Sequence, residues 1–192
     1  DKSFFYYWDQ LKKQMNIDLN IWGVNNLENN NFKTGFCGIA PNFDKKHPYS
    51  LTKIDQMKLF GFAGKNFLVN SSYINSSLKD TFGSFVARYG SPRKDYYNFF
   101  EYYQYEENAI ENLLKDEYDW EMAKDTRSSW KIGDGTASFC NYVYTTVAGF
   151  SEFDTFRSNQ IREGMLTREE GLELIYDENR PRYESFKWCL ET

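Results

Sequence analysis

The heptapeptide IDLNIWG, Ile17–Gly23, decides the fold. Ile17, Leu19 and Ile21 alternate with Asp18 and Asn20, the period-two pattern of a strand with one buried side, and Gly23 closes the run. Immediately upstream, Phe4, Trp8, Leu11 and Met15 fall at i, i+4, i+7 and i+11, so this helical face is predicted to pack inward. A helix feeding a strand that ends on glycine is an αβ unit, which places the chain in the α/β class. A central parallel strand is normally apolar on both faces. Asp18 and Asn20 therefore predict a sheet that is partly open or covered by polar segments.

Downstream, residues 24–49 are rich in Asn and Gly and end near Pro48, the mark of a long loop, and a functional role is favoured for a loop of that length. Apolar spacing predicts helices over 51–62, 78–88, 106–118 and 136–147. Aromatics dominate 96–105, where helix and strand patterns are indistinguishable. Thr167 and Glu170 form a capping box that opens a helix over 168–178, and Pro181 stops it and starts a last one. With no repeat and no low-complexity linker, one domain is expected.

The chain has 192 residues, 41% hydrophobic and 27% charged, enough for a sizeable core. Phe, Trp and Tyr reach 19%, and their large apolar area compensates for a mean hydropathy of −0.73. A net charge of −5 offers no field that would draw a nucleic-acid backbone. Cys37, Cys140 and Cys189 are odd in number and widely spaced, which fits reduced thiols in a cytoplasm. His47 is the single histidine, so a His-rich zinc site and a Ser-His-Asp triad are excluded or nearly so. No apolar stretch approaches a membrane span and no signal peptide precedes Asp1, so a soluble protein without a membrane partner is expected.

Three sets of residues bear on chemistry. Gly23, Asn25 and Glu28 follow the strand directly, where open α/β sheets collect ligands; a glycine there admits close backbone approach and a carboxylate can hold Mg²⁺ beside phosphates. Cys37 in GFCGI has only His47 as a base, with no group to orient it, so glutamine hydrolysis by this chain is rejected. The third set is Asp134 in IGDG, then Arg157, Asn159, Gln160, Arg162 and Glu163 in FRSNQIREG, then Arg180 and Arg182. Guanidinium forks bind carboxylate or phosphate, and Asn, Gln and Asp read sugar hydroxyls or an amide. The plain alternative for Ser158 and Arg162, at i and i+4, is a solvated helix face.

The run FRSNQIREGMLTREEGLELIYDENRPRYESFKW, residues 156–188, with WKIGDGTASFCNYVYTTVAGFSEFDT, residues 130–155, closely resembles the C-terminal signature of the N-acetyl sugar amidotransferases. The resemblance extends over essentially the whole chain and is weakest in its aromatic middle. It implies a partial adenine nucleotide α-hydrolase-like (PP-loop) parallel sheet with a largely helical C-terminal region. Residues 1–65 would be the second half of an ATP-binding unit and 66–192 the substrate-recognition region. The implied reaction converts an acetamido group of a bacterial N-acetyl sugar to an acetamidino group for surface glycans. It uses ATP and Mg²⁺, with ammonia from a separate glutaminase subunit. Asp134, Arg157 and Arg162 would be catalytic, and Asn159, Gln160, Arg180 and Arg182 substrate-binding.

The segment after Ile17–Gly23 is also similar to the stretch after the fourth strand of ammonia-using PP-loop ATP pyrophosphatases such as NAD synthetase, although Val24 stands where those often have a hydroxyl residue. That likeness makes Glu28 the metal ligand and Gly23, Asn25, Thr34 and Lys53 nucleotide-binding. The family's pyrophosphate-gripping SGGxDS loop occurs nowhere in the chain, and neither does GxxxxGK. The chain is therefore expected to begin after that loop and to be inactive alone. A tRNA-modifying PP-loop enzyme and a non-catalytic carbohydrate-binding or assembly module are the alternatives. The first would bring a basic face, or CxxC pairs for sulfur transfer, and the second exposed rings.

Overall fold

A computed structural model of the chain describes residues 2–28, 32–40, 51–90, 96–130 and 135–191. The chain is mostly helical with one small parallel sheet, compatible with the α/β class. It forms two compact units: Asp1–Gly23 with Asn31–Phe99, and Val24–Asn30 with Phe100–Thr192.

In the first unit, helix α1 (Lys2–Met15) ends where Asn16 takes a left-handed conformation, φ 54°, and the Ile17 amide reaches back to the Lys12 carbonyl at 3.1 Å. That closure satisfies a terminal carbonyl, and Asn tolerates the positive φ better than most side chains. Strand β1 (Asn20–Trp22) then pairs in parallel with β2 (Tyr96–Asn98), Ile21 opposite Tyr97. The ambiguous aromatic segment thus supplies the second strand.

The buried face of β1 is the reverse of the predicted one. Asn20 is 1% exposed, whereas Leu19 and Ile21 are 57% and 63% exposed. Trp22 accounts for the reversal: its ring stacks on Phe5 of α1 and on Tyr96, with centroids 5.3 and 5.7 Å away. Three stacked rings remove more apolar surface from water than Leu19 and Ile21 would. The pleat then carries Asn20 inward with Trp22, where its side-chain oxygen accepts a hydrogen bond from the Trp8 indole. The same rings rotate α1. Of the predicted face, Phe4, Leu11 and Met15 lie exposed and only Trp8 turns inward, joined by Phe5 and Tyr6.

Helix α1 packs on α4 (Leu78–Tyr89), where Gly83 leaves room for the Tyr6 ring. The short α2 (Phe32–Gly35) and the longer α3 (Lys53–Val69) complete this unit's α-helices among the described residues. Helix α3 starts where Thr52 accepts a hydrogen bond from the Asp55 amide. It runs past the predicted end at Phe62, because Gly61 and Gly64 each weaken a helix by only about 1 kcal/mol.

The second unit holds α5 (Glu107–Tyr118), α6 (Thr136–Ala148), α7 (Glu152–Arg162), α8 (Arg168–Glu178) and α9 (Tyr183–Glu191). Its core is Leu27, Trp130, Phe153 and Phe156, with Tyr105 and Met165 packed against it. Trp130 lies flat on Phe156, centroids 4.3 Å apart, and edge-on to Phe153. Helix α8 opens with the predicted Thr167–Glu170 box, and α7 opens with a second reciprocal box between Ser151 and Asp154. The Asp154 carboxylate also accepts from the Asn179 side chain at 2.8 Å, tying the start of α7 to the end of α8.

Candidate functional site

Helix α7 carries residues 156–162 of the FRSNQIREG run, and its buried stripe changes character along its length. Phe153 and Phe156 fill the core, and on the same stripe Arg157 and Gln160 follow, 3% and 4% exposed. A charge on a core stripe must be balanced and hydrogen-bonded to persist there. Glu107 at the start of α5 and Glu178 at the end of α8 supply that balance.

All five guanidinium N–H groups of Arg157 are engaged. Nε donates to both Glu178 oxygens at 3.2 and 3.1 Å. Nη1 donates to Glu107 Oε2 and Gln160 Oε1, each at 2.6 Å. Nη2 donates to Glu107 Oε1 at 3.2 Å and Glu178 Oε1 at 2.5 Å. Burial alone would lower the Arg157 pKa, but the bonds to Glu178 and Glu107 outweigh it and the group stays charged. Burial pushes the Glu178 carboxyl up, with Arg157 pulling it back. The fork therefore has no spare donor for a substrate anion, and its geometric role is to lock α5, α7 and α8 together.

Arg157 and Gln160 form part of the floor of an open cleft of about 1050 Å³, which Tyr105 and Tyr176 also line. Its lining is mainly acidic, with Glu106, Glu111, Glu170 and Glu173 alongside Arg127 and Arg180. Since Arg157 is already neutralised, the cleft favours hydroxyl and amide groups over an anion. Burial, then Glu107 and Glu28, raise the Tyr105 pKa to about 12, so this wall senses the Glu28 carboxylate.

The opposite side of α7 reaches that carboxylate's own turn. Asn159 Nδ2 donates to the Leu27 carbonyl at 2.6 Å, and Arg162 donates to Asn159 Oδ1. Leu27 is the buried centre of a 3₁₀ turn, Asn26–Glu28, which Asn25 caps by accepting the Leu27 amide at 3.0 Å. Asn25 is 3% exposed, and its Nδ2 has no hydrogen-bond partner among the described residues.

Asn25, Glu28, Arg157, Asn159, Gln160, Arg162, Arg180 and Arg182 thus belong to the second unit; Gly23, Thr34 and Lys53 belong to the first. Asp134 and His47 lie outside the described residues. Arg180 is exposed beside Asp177 at 3.4 Å, whereas Arg182 is buried. Among the described residues no group of three or more His, Cys, Asp or Glu is arranged to hold a metal ion, and no helix is long and apolar enough to cross a membrane. Glu107, Glu178 and Tyr105 escaped the sequence reading. The available signal was Arg157 itself: one residue past Phe156 and four past Phe153, it falls on a core stripe and demands acidic partners.

No family model, curated protein or solved structure matches the chain, which leaves its residues and their geometry to carry any functional conclusion.

Proposed function

We propose that the chain carries the substrate-reading part of a PP-loop-type amidotransferase that converts the acetamido group of an N-acetyl sugar to an acetamidino group. The observation that supports this most is the 2.6 Å bond from Asn159 to the Leu27 carbonyl. It ties the turn bearing Glu28 to α7, the helix whose Arg157 and Gln160 line the cleft on its other side. The parallel pairing of β1 and β2 is consistent with such a sheet.

In this reading the acetamido oxygen attacks the α-phosphate of ATP and pyrophosphate leaves; ammonia then adds to the activated carbon, AMP departs and a proton is lost. Mg²⁺ typically takes one or two carboxylates and leaves its other positions to phosphates and water, so a single Glu28 is a sufficient protein ligand. When bound, the ion would neutralise charge on the phosphates. The buried Asn25 Nδ2, without a partner among the described residues, fits a phosphate oxygen, its amide oxygen being held by the Leu27 amide. Cleft carboxylates and Gln160 would read hydroxyls and the acetamido group, while Arg157 positions α7 rather than gripping substrate.

The test is to incubate the complete gene product with ATP, Mg²⁺, ammonium and a panel of N-acetylated nucleotide sugars and nonulosonic acids. AMP and pyrophosphate should form only with an acetamido sugar, and the product should show oxygen replaced by NH in its mass spectrum. Glu28→Gln should lower kcat far more than it raises KM for the sugar, because the metal contact matters most as charge shifts in the transition state. Absence of sugar-dependent AMP with every member of the panel would sink the reading.

A further inference from the structure

Helix α6 buries one side, at Ser138 and Asn141, and leaves the other in solvent: Phe139, Tyr142, Val143, Thr146 and Val147 are all exposed. These five follow i, i+3, i+4, i+7 and i+8, the spacing by which a helix packs an apolar face against a partner. Thr146 does not interrupt the face, because its hydroxyl donates to the Tyr142 carbonyl at 2.8 Å within the same helix. Helix α9 widens it. The Phe186 ring lies 6.4 Å from Phe139, 5.1 Å from Tyr142 and 6.0 Å from Tyr183, and Leu190, 74% exposed, follows one turn further along α9.

Charge and area together identify what covers this face. In a chain that is 27% charged, residues 135–151 carry no Asp, Glu, Lys or Arg. A two-fold interface sets each group near its axis against its own copy, so a charge there repels itself and the centre must be neutral. A different protein is under no such constraint, since it can answer a charge with the opposite one. A lipid surface fits less well, because an interfacial helix carries Lys and Arg beside its apolar face and α6 has neither. At their observed exposures Phe139, Tyr142, Val143, Val147, Tyr183 and Leu190 offer roughly 500 Å² of apolar surface, the size of patch that marks interaction sites. Two copies together cover about 1,000 Å², where specific association begins. We propose that the face formed by α6 and α9 is a homodimer interface, in which α6 packs on the α6 of a second copy about a two-fold axis, with Tyr183 and Leu190 at the edge. None of these side chains lines the cleft of α5, α7 and α8, so the inference does not rest on the amidotransferase reading.

Sedimentation velocity of the chain over a concentration series tests this. An interface of this area belongs to the weak end of specific association, so the mass should rise from 22.8 kDa toward twice that value with a Kd on the order of 10 μM. The double variant Val143→Lys/Val147→Lys should raise that Kd by roughly tenfold or more, because it sets like charges against each other across the axis. Both positions are exposed, Lys is a better helix former than Val, and a cation suits the last turns of a helix, so the fold is not at risk. Melting temperature at the lowest concentration should confirm that. Amide hydrogen exchange reads the same face without a substitution: the α6 and α9 amides should slow as concentration rises, while those of α5 should not. A chain that stays monomeric well above this Kd overturns the interface, and the face then belongs to a different partner. A dimer that the double variant leaves intact overturns it equally, since another surface then holds the copies together.

Discussion

Asn159 on α7 donates to the carbonyl of Leu27, 2.6 Å away and 132 positions earlier in the chain. That bond fastens the turn carrying Glu28 to α7, and the neighbouring Asn159 oxygen receives Arg162.

Asn159→Ala should therefore loosen the Asn26–Glu28 turn more than the protein as a whole. The expected loss in global stability is about 0.5–1.5 kcal/mol, the net worth of one neutral hydrogen bond. Amide hydrogen exchange at Leu27 and Glu28 should rise well beyond that of the α8 amides. Equal acceleration across both segments would show that the bond does not hold the turn.

Arg157→Ala should cost roughly 3–5 kcal/mol, because it strands the buried Glu178 and the half-buried Glu107 carboxylates without their cation. Arg157→Lys should recover only part of that loss, since an ammonium does not reproduce the fork to two carboxylates and Gln160. Urea unfolding midpoints read both. A protein whose stability is untouched by Arg157→Ala would return Arg157 to the role of substrate grip.

Alkaline titration offers an independent check on the site. The Tyr105 pKa of about 12 lies above its ordinary value of 10.0, so the folded state holds the phenolic proton more tightly than the unfolded chain. Stability contributed by this difference is complete below pH 10 and declines as pH rises toward 12. Tyr105→Phe should flatten that decline, read as the difference between the two proteins in melting temperature against pH. Identical slopes would place Tyr105 in solvent instead.

Inversion of the β1 face makes a prediction that separates pattern from packing. Ile21→Lys should change stability by no more than about 0.5 kcal/mol, as expected for an exposed position. Trp22→Ala should cost about 2–3 kcal/mol, below the range for a fully buried Trp because Trp22 retains some exposure. Thermal melts that rank the two in the opposite order would restore the face drawn from simple alternation.

Gly135 tests how tightly α6 and α9 are held. It sits at φ 75° at the start of α6, and a methyl group there would come within 2.6 Å of the Ser185 carbonyl oxygen. Gly135→Ala combines left-handed strain with a backbone clash and should destabilise by about 2 kcal/mol or more. Gly171→Ala, which meets only the flexible end of Ile161, should cost less. Comparing the two melting temperatures decides the point.

Local rules written into the sequence determined most of the elements. Helix α8 was legible because Thr167 and Glu170 satisfy each other's neighbouring amides within one turn, and α9 because Pro181 cannot continue α8. Strand β1 was legible in place, since a helix–strand–glycine run is a local signal; its parallel pairing was expected from the resemblance to a parallel sheet, not from that run. Composition likewise revealed an aromatic-rich chain with no basic field.

Only the tertiary structure decided which way these elements face. Leu19 and Ile21 alternate as a buried strand should, yet Trp22 had ring partners in Phe5 and Tyr96 that no local pattern records, and it took the inner face with Asn20. The polar site followed the same logic. Arg157 announced itself as a fork for an anion, but its anions turned out to be Glu107 and Glu178, 50 positions before it and 21 after it. Periodicity reports which side of an element is apolar; partners that fold in from afar settle how much area each side buries and which donors remain for a ligand.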